Sequence, residues 1–239
     1  MLSKTTIRET AAQSAAPEIQ KNGYGKLAEH LRQSDVYRQA GMIFASPAMI
    51  LQQICMNALA DNKVLVMPSP HLRDGFFLLK PFTVPFKQLS QVVSLGGISR
   101  YGTKLKSGEL CRLSIDLVAT DTLAIDRDGY MVGDGHGFLD LSLAILAAYG
   151  AVTAQTVIVA AVTEPQRVAE PLDHDPWDAR VQGLVSADGF VMLESAGARS
   201  YAILWDRLTL DRIKRITPLW QLYQAREVVV PASPPTNTG

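Results

Sequence analysis

Apolar and polar positions change rhythm several times along the chain, and each rhythm predicts an element. Residues 4–13, KTTIRETAAQ, read as a short helix with Lys4 and Arg8 four residues apart on one face. Residues 24–40, YGKLAEHLRQSDVYRQA, keep a helical period that turns Leu27 and Leu31 inward, with Val36 and Tyr37 on the same side. Between them SAAPEIQKNGYG, with Pro17 and two glycines, is expected as a loop. GMIFAS and KVLVMPSP read as buried strands, and AMILQQICMNALADN as the helix that joins them. Two prolines stop the second strand.

The middle, residues 71–93, is less regular. LSIDLVATDTLAID then gives the near-continuous apolar run of a strand covered on both faces, expected over 113–119. DRDG turns the chain, and a segment dense in glycine leads into an apolar helix over 138–149, with Gly150 as its stop. Strands follow at 156–162, 181–186 and 190–193, then a last helix interrupted at Pro218. Strand and helix alternate through most of the chain, which predicts an α/β fold with a mainly parallel sheet. No linker divides it, so residues 1–230 are expected as one domain and 231–239 as a disordered tail.

Composition narrows the function classes. Twenty-three basic and 23 acidic residues cancel, leaving no electrostatic footprint for coating nucleic acid, so no nucleic-acid partner is expected. No apolar run reaches the roughly 18 residues of a membrane span, and no leader pattern opens the chain, so no membrane association and a cytoplasmic location are expected. Cys55 and Cys111 belong to no metal-binding cluster and are expected as buried, reduced thiols.

Chemistry concentrates in GDGHG, residues 133–137. Loops leading from strands into helix N-termini offer free N–H groups and a positive dipole end, both suited to a phosphate. Gly133, Gly135 and Gly137 let backbone approach an anion closely, and Asp134 and Asp140 supply the hard oxygens that magnesium prefers. The G-x-G-x-G spacing matches neither the dinucleotide fingerprint nor the P-loop. Taken alone, the segment is open to two readings, a phosphate seat or a tight turn. His136 is likewise open, as a site group or a solvated histidine.

The surrounding residues carry a resemblance. Asp116, Leu117, Ala124, Asp126, Gly129, Gly133, Gly135, Gly137, Phe138 and Asp140 fall without a gap on the signature of the 5-formyltetrahydrofolate cyclo-ligase family. KTTIR is similar to that family's Lys-x-x-x-Arg helix. VLVMPSPHLRDGFF, EPQRVAEPLDHD and the tryptophan-containing C-terminal end resemble its branch of cyclo-ligase domain-containing proteins. The resemblance implies a Rossmann-like three-layer α/β fold. It also implies ATP- and Mg2+-dependent conversion of 5-formyltetrahydrofolate to 5,10-methenyltetrahydrofolate, or the same chemistry on a related small heterocycle. Lys4, Arg8, Gly133, Asp134, Gly135, His136, Gly137 and Phe138 match the nucleotide-binding positions, Lys4, Arg8 and Asp140 the catalytic ones, and Asp140 with Asp134 the metal site.

Three departures bear on the substrate. Phe138-Leu139 stands where the family has Tyr-Tyr, and Asp121-Thr122 replaces a Pro-Gly, placing a carboxylate near the expected site. Residues 46–54 contain no acid, where the family carries a glutamate that engages folate. Gln52 is a poorer match for a donor-rich pterin edge, so slow or absent folate turnover is expected. Arg73, after the Pro-x-Pro turn, joins Asp121, Thr122 and Gln52 as the candidate substrate residues; His71 and His174 are candidate neighbours. The alternative is a nucleotide-binding regulatory or thiamine-metabolism-associated protein without folate turnover.

Overall fold

The computed structural model describes residues 2–13, 21–194 and 201–229. Its strands are β1 (Met42–Ala45), β2 (Val64–Pro68), β3 (Phe76–Leu79), β4 (Thr103–Lys104), β5 (Leu117–Asp121), β6 (Ala124–Ile125), β7 (Met131–Val132), β8 (Val157–Ala161), β9 (Gly183–Ser186) and β10 (Gly189–Met192). All but the β6–β7 hairpin join one eight-stranded sheet in the order β10-β9-β8-β5-β1-β2-β3-β4. Pairing is parallel from β9 through β2 and antiparallel at both margins. The mainly parallel α/β expectation is borne out.

The helices are α1 (Lys4–Gln13), α2 (Lys21–Gln33), α3 (Asp35–Gln39), α4 (Gln52–Ala60), α5 (Leu89–Val92) and α6 (Leu95–Tyr101), followed by α7 (Ser107–Leu110), α8 (Phe138–Ala148), α9 (Leu210–Arg215) and α10 (Thr217–Val229). Alternation within the strands decides which helix covers which face. Ile43 and Ala45, Leu65 and Met67, and Leu117 and Ala119 enter one core with Leu27 and Leu31 of α2 and Ile54 and Ala58 of α4. Phe44, Val66, Val118 and Ile158 enter the opposite core with Leu143, Ile145 and Leu146 of α8 and Leu219 of α10. Three layers result, and each such large apolar side chain stabilises the fold by about 1.5–3 kcal/mol.

Several expectations need correction. The loop expected over 14–25 is helical from Lys21, because α2 runs through Gly23 and Gly25. The buried Leu27, Ala28 and Leu31 outweigh the weak helix propensity of two glycines. Strand β5 starts at Leu117, since Asp116 before it is tied to β1 instead of extending the ladder to 113. The last helix breaks between Arg215 and Thr217, and Pro218 sits in the first turn of α10, where its missing N–H costs nothing. Cys55 is buried as expected, but Cys111 is exposed at the end of α7. The tail, 231–239, lies outside the described residues.

Candidate functional site

From β1 the chain crosses through α4 to β2 on one side, then returns to place β5 on the other side of β1. Such a reversal opens a crevice at the carboxyl ends of the strands. Ser46, just past β1, and Thr120 of β5 meet across it, with 3.2 Å between their hydroxyl oxygens. A cavity of about 430 Å3 lies there, bordered by Ser46, Ser69, His71, Thr120, Asp121 and Met49 among others. Asp121 ends β5 and has no hydrogen bond or ion pair to another side chain among the described residues. Loss of surrounding water pushes its carboxyl above the usual carboxylate range, and the charge of Asp134 adds to the shift.

The glycine segment forms one wall of this cavity. Asp134 Oδ1 accepts from the His136 N–H at 2.9 Å, an Asx turn that tightens the loop. Gly135 (φ +92°) and Gly137 (φ +62°) are left-handed, and Gly137 caps α8 without any side-chain hydrogen bond to the helix. The first N–H groups of α8 are thus left for another acceptor. Gly135 has a second reason to lack a side chain. A Cβ there would stand 3.1 Å from Arg8 Nε, which donates to the Gly133 carbonyl at 3.0 Å.

Beside the loop, Lys4 donates to Asp175 Oδ2 at 2.7 Å and to Asp178. Burial works against its charge, but the two aspartates outweigh it and hold the ammonium pKa above the ordinary lysine value. Asp140, in the first turn of α8, accepts from the Ala179 N–H at 2.8 Å. Burial raises its pKa and the nearby Asp178 charge adds to this, while Lys4 opposes it. Lys4, Arg8, Gly135, Asp140, Trp177 and Asp178 border a polar cleft of about 260 Å3. Gly133, Asp134, Phe138 and Leu139 border both this cleft and the larger cavity, so the loop stands between the two.

Nearly all the residues matched to nucleotide binding therefore meet in one place: Lys4, Arg8, Gly133, Asp134, Gly135, Gly137, Phe138 and Asp140 line the cleft. His136 sits at the exposed loop tip, its ring 5.5 Å from that of Phe138. Asp121 and Thr122 line the larger cavity, but the Thr122 hydroxyl is committed to the carbonyls of Ala124 (2.7 Å) and Val132 (3.0 Å). Gln52 and Arg73 do not line it. Gln52 donates to the Ser90 carbonyl at 3.1 Å, and Arg73 is exposed while its carbonyl accepts from Thr217. The Pro-x-Pro turn instead presents His71, held at φ +54°, and His174 stacks on Tyr130 outside both spaces. Asp175 closes the EPQRVAEPLDHD segment, but Trp177 and Asp178, which come just after it, and Arg212 carry no assignment from the sequence.

The donor set suits magnesium. Asp140 and Asp178 bring two carboxylates near one another, and this ion keeps several waters and uses one or two carboxylates with substrate phosphates. Among the described residues no group of three or more metal-ligating side chains assembles. One Asp134 oxygen is already turned into its own loop.

The model of the 5-formyltetrahydrofolate cyclo-ligase family matches residues 3–187. The chain belongs to this family. Methenyltetrahydrofolate synthase domain-containing proteins of Danio rerio and Homo sapiens are 25% and 24% identical to it, over 80% and 83% of the chain. Those alignments cover 50% and 52% of the two relatives, so the chain spans about half the length of the curated relatives it matches. The solved 5,10-methenyltetrahydrofolate synthetase of Aquifex aeolicus superposes with a TM-score of 0.55 at 17% identity, covering 82% of this chain and 96% of that one. That of Mycoplasma pneumoniae gives 0.51 at 14%, covering 77% and 98%. Both share the cyclo-ligase fold with this chain. Among the described residues no helix is long and apolar enough to cross a membrane.

Proposed function

We propose that this cyclo-ligase family member binds ATP with magnesium at the glycine loop and uses it to close a ring on a folate or related small heterocycle in the larger cavity. The observation that carries this reading is the cleft where Lys4, Arg8, the left-handed glycines and Asp140 meet and open onto that cavity. In the reaction, a substrate carbonyl oxygen takes the γ-phosphoryl group and a neighbouring nitrogen attacks the carbon. That nitrogen loses its proton, the carbon–oxygen bond breaks, and phosphate leaves.

Each residue's part follows from charge. Lys4 exchanges its two aspartates for phosphate oxygens, and Arg8 lies against the loop where those oxygens would rest. The uncapped start of α8 offers N–H donors to the same anion. Asp140 and Asp178 would hold the magnesium, which when bound neutralises charge on the migrating group. In the cavity, Asp121 offers a carboxylate acceptor to the N–H edge of a heterocycle. Residues 46–54 offer none, so 5-formyltetrahydrofolate is converted slowly or not at all. The reading places the chemistry in the cytoplasm, where ATP is available and thiols such as Cys111 stay reduced.

Thermal shift with ATP and magnesium, followed by absorbance detection of the methenyl product, tests this. ATP with magnesium is expected to raise the melting temperature by mass action, with slow or no formation of the methenyl product. Absence of any ATP-dependent shift would contradict the reading. A shift without turnover of any folate or heterocycle offered would leave a nucleotide-binding regulatory protein.

A further inference from the structure

The two spaces on either side of the glycine loop are charged differently. The polar cleft carries Lys4 and Arg8 beside Asp140, Asp175 and Asp178, so its acids have cations close by. The larger cavity has no such balance. Among the described residues that line it, Asp121 and Asp134 are the acids, none is a lysine or arginine, and His71 is the one basic side chain. The cations around the loop point elsewhere: Arg8 donates to the Gly133 carbonyl, Lys4 to its two aspartates, and Arg212 to the His136 carbonyl. The two cavity carboxylates repel one another, since the charge of Asp134 adds to the upward shift of Asp121. Met49, Leu72, Met131, Phe138 and Leu139 supply apolar walls.

We propose that the larger cavity selects a substrate without negative charge: an amino-substituted nitrogen heterocycle that carries no carboxylate tail. This rests on the reading of that cavity as the place of the ring. A carboxylate with no cation beside it is relieved by N–H donors or a positive charge, and opposed by a further anion. An N–C–N edge bearing ring and amino N–H groups matches the two oxygens of Asp121 in paired, charge-assisted hydrogen bonds. The apolar walls take the flat faces of such a ring. At about 430 Å3 the cavity lies low in the roughly 300–1,000 Å3 range of small-molecule sites, enough for a ring system. An anionic tail finds no lysine or arginine on this wall, and repulsion from two carboxylates reaches across about 10 Å at 0.1 M salt. The loop thus sorts ligands by charge, a polyanion on the cleft side and an uncharged or cationic ring on the cavity side.

Equilibrium titrations of the full chain with 5-formyltetrahydrofolate and with its dimethyl ester compare one ring bearing an anionic or a neutral tail. A non-hydrolysable ATP analogue and magnesium are present throughout, and the analogue is titrated separately. Wild type is expected to bind the ester about tenfold more tightly at low ionic strength, the scale of several like-charge pairs across water, with the gap closing in high salt. Asp121→Asn and Asp134→Asn each remove one charge, and the second keeps an oxygen for the His136 N–H. Each is expected to narrow the gap to about threefold, and Asp121→Asn also to weaken the ester itself. Equal or tighter binding of 5-formyltetrahydrofolate by wild type, or a gap unchanged in both variants, would overturn the charge selection. If neither form binds while the analogue does, the cavity is not the place of the ring and the proposal falls, sparing the phosphate loop. If the analogue alone fails to bind, the phosphate reading fails and the gap between the two tails still decides the proposal.

Discussion

One strand carries an aspartate at each end, and the two have opposite circumstances. Asp116, immediately before β5, accepts from the Gly41 and Met42 N–H groups at 2.8 and 2.9 Å and ties the start of β1 to β5. Asp121, the last residue of β5, faces a cavity with no hydrogen bond or ion pair to another side chain among the described residues. The contrast extends across the sheet. At the Asp116 end, the Thr156 hydroxyl donates to the Ile115 carbonyl at 2.8 Å, and Gln182 bonds the Ile158 N–H and the Arg180 carbonyl. Polar groups there satisfy one another. At the Asp121 end, the glycine loop, Arg8 and Asp140 open onto two connected spaces. Residue type does not separate the two ends of β5; what does is whether the carboxylate holds the backbone of a neighbouring strand or faces a cavity.

If that division is right, variants at the two ends change different observables. The largest effect is expected for Asp140→Asn, with turnover falling by about 100-fold or more, the usual cost of losing a main charge-stabilising contact. Its melting temperature should change little, because an asparagine oxygen can still accept from Ala179. Parallel turnover and melting measurements check both. Asp116→Ala should do the reverse. Two backbone donors lose their acceptor, costing about 1–3 kcal/mol in denaturant unfolding, while ATP affinity stays at the wild-type value. A loss of ATP binding in that variant would erase the distinction between the ends.

The smallest effect is expected at Asp121, and it sharpens the contrast through its sign. A carboxyl whose folded pKa is raised keeps its proton more readily folded than unfolded. Its ionisation therefore lowers stability as pH climbs from the ordinary carboxylate range through the raised value. Asp121→Asn removes that cost, so it should melt slightly above wild type at neutral pH and level with it in acid. Melting curves across that range, with heterocycle affinity falling in the same variant, distinguish it from Asp116→Ala.

Near-continuous apolar runs made the parallel strands legible, since a strand covered on both sides must be apolar throughout. The loop and α8 were legible because glycine density followed by an apolar helix is a local pattern. What escaped was set by distance in the chain. Lys4 meets Asp178 across 174 positions, and no local spacing announces that pair. Gly23 and Gly25 argued locally for a loop, yet the packing of Leu27 and Leu31 makes the segment helical. Gln52 and Arg73 lay near the right strand ends in sequence, but Gln52 turns to Ser90, and the turn after β2 gives the cavity His71 in place of Arg73. The requirement for glycine at 135 was legible, but its second cause, room for Arg8, was not.

Calorimetric titration with ATP and magnesium of wild type, Gly135→Val and Asp116→Ala puts the two ends side by side. A valine at residue 135 must abandon the left-handed backbone or strain it, and its side chain displaces Arg8 from the Gly133 carbonyl. Wild type and Asp116→Ala should bind ATP alike, and Gly135→Val should bind about tenfold more weakly or worse, the scale of one lost charge-assisted contact. Equal ATP affinity in wild type and Gly135→Val would contradict the assignment of the glycine loop to the phosphates.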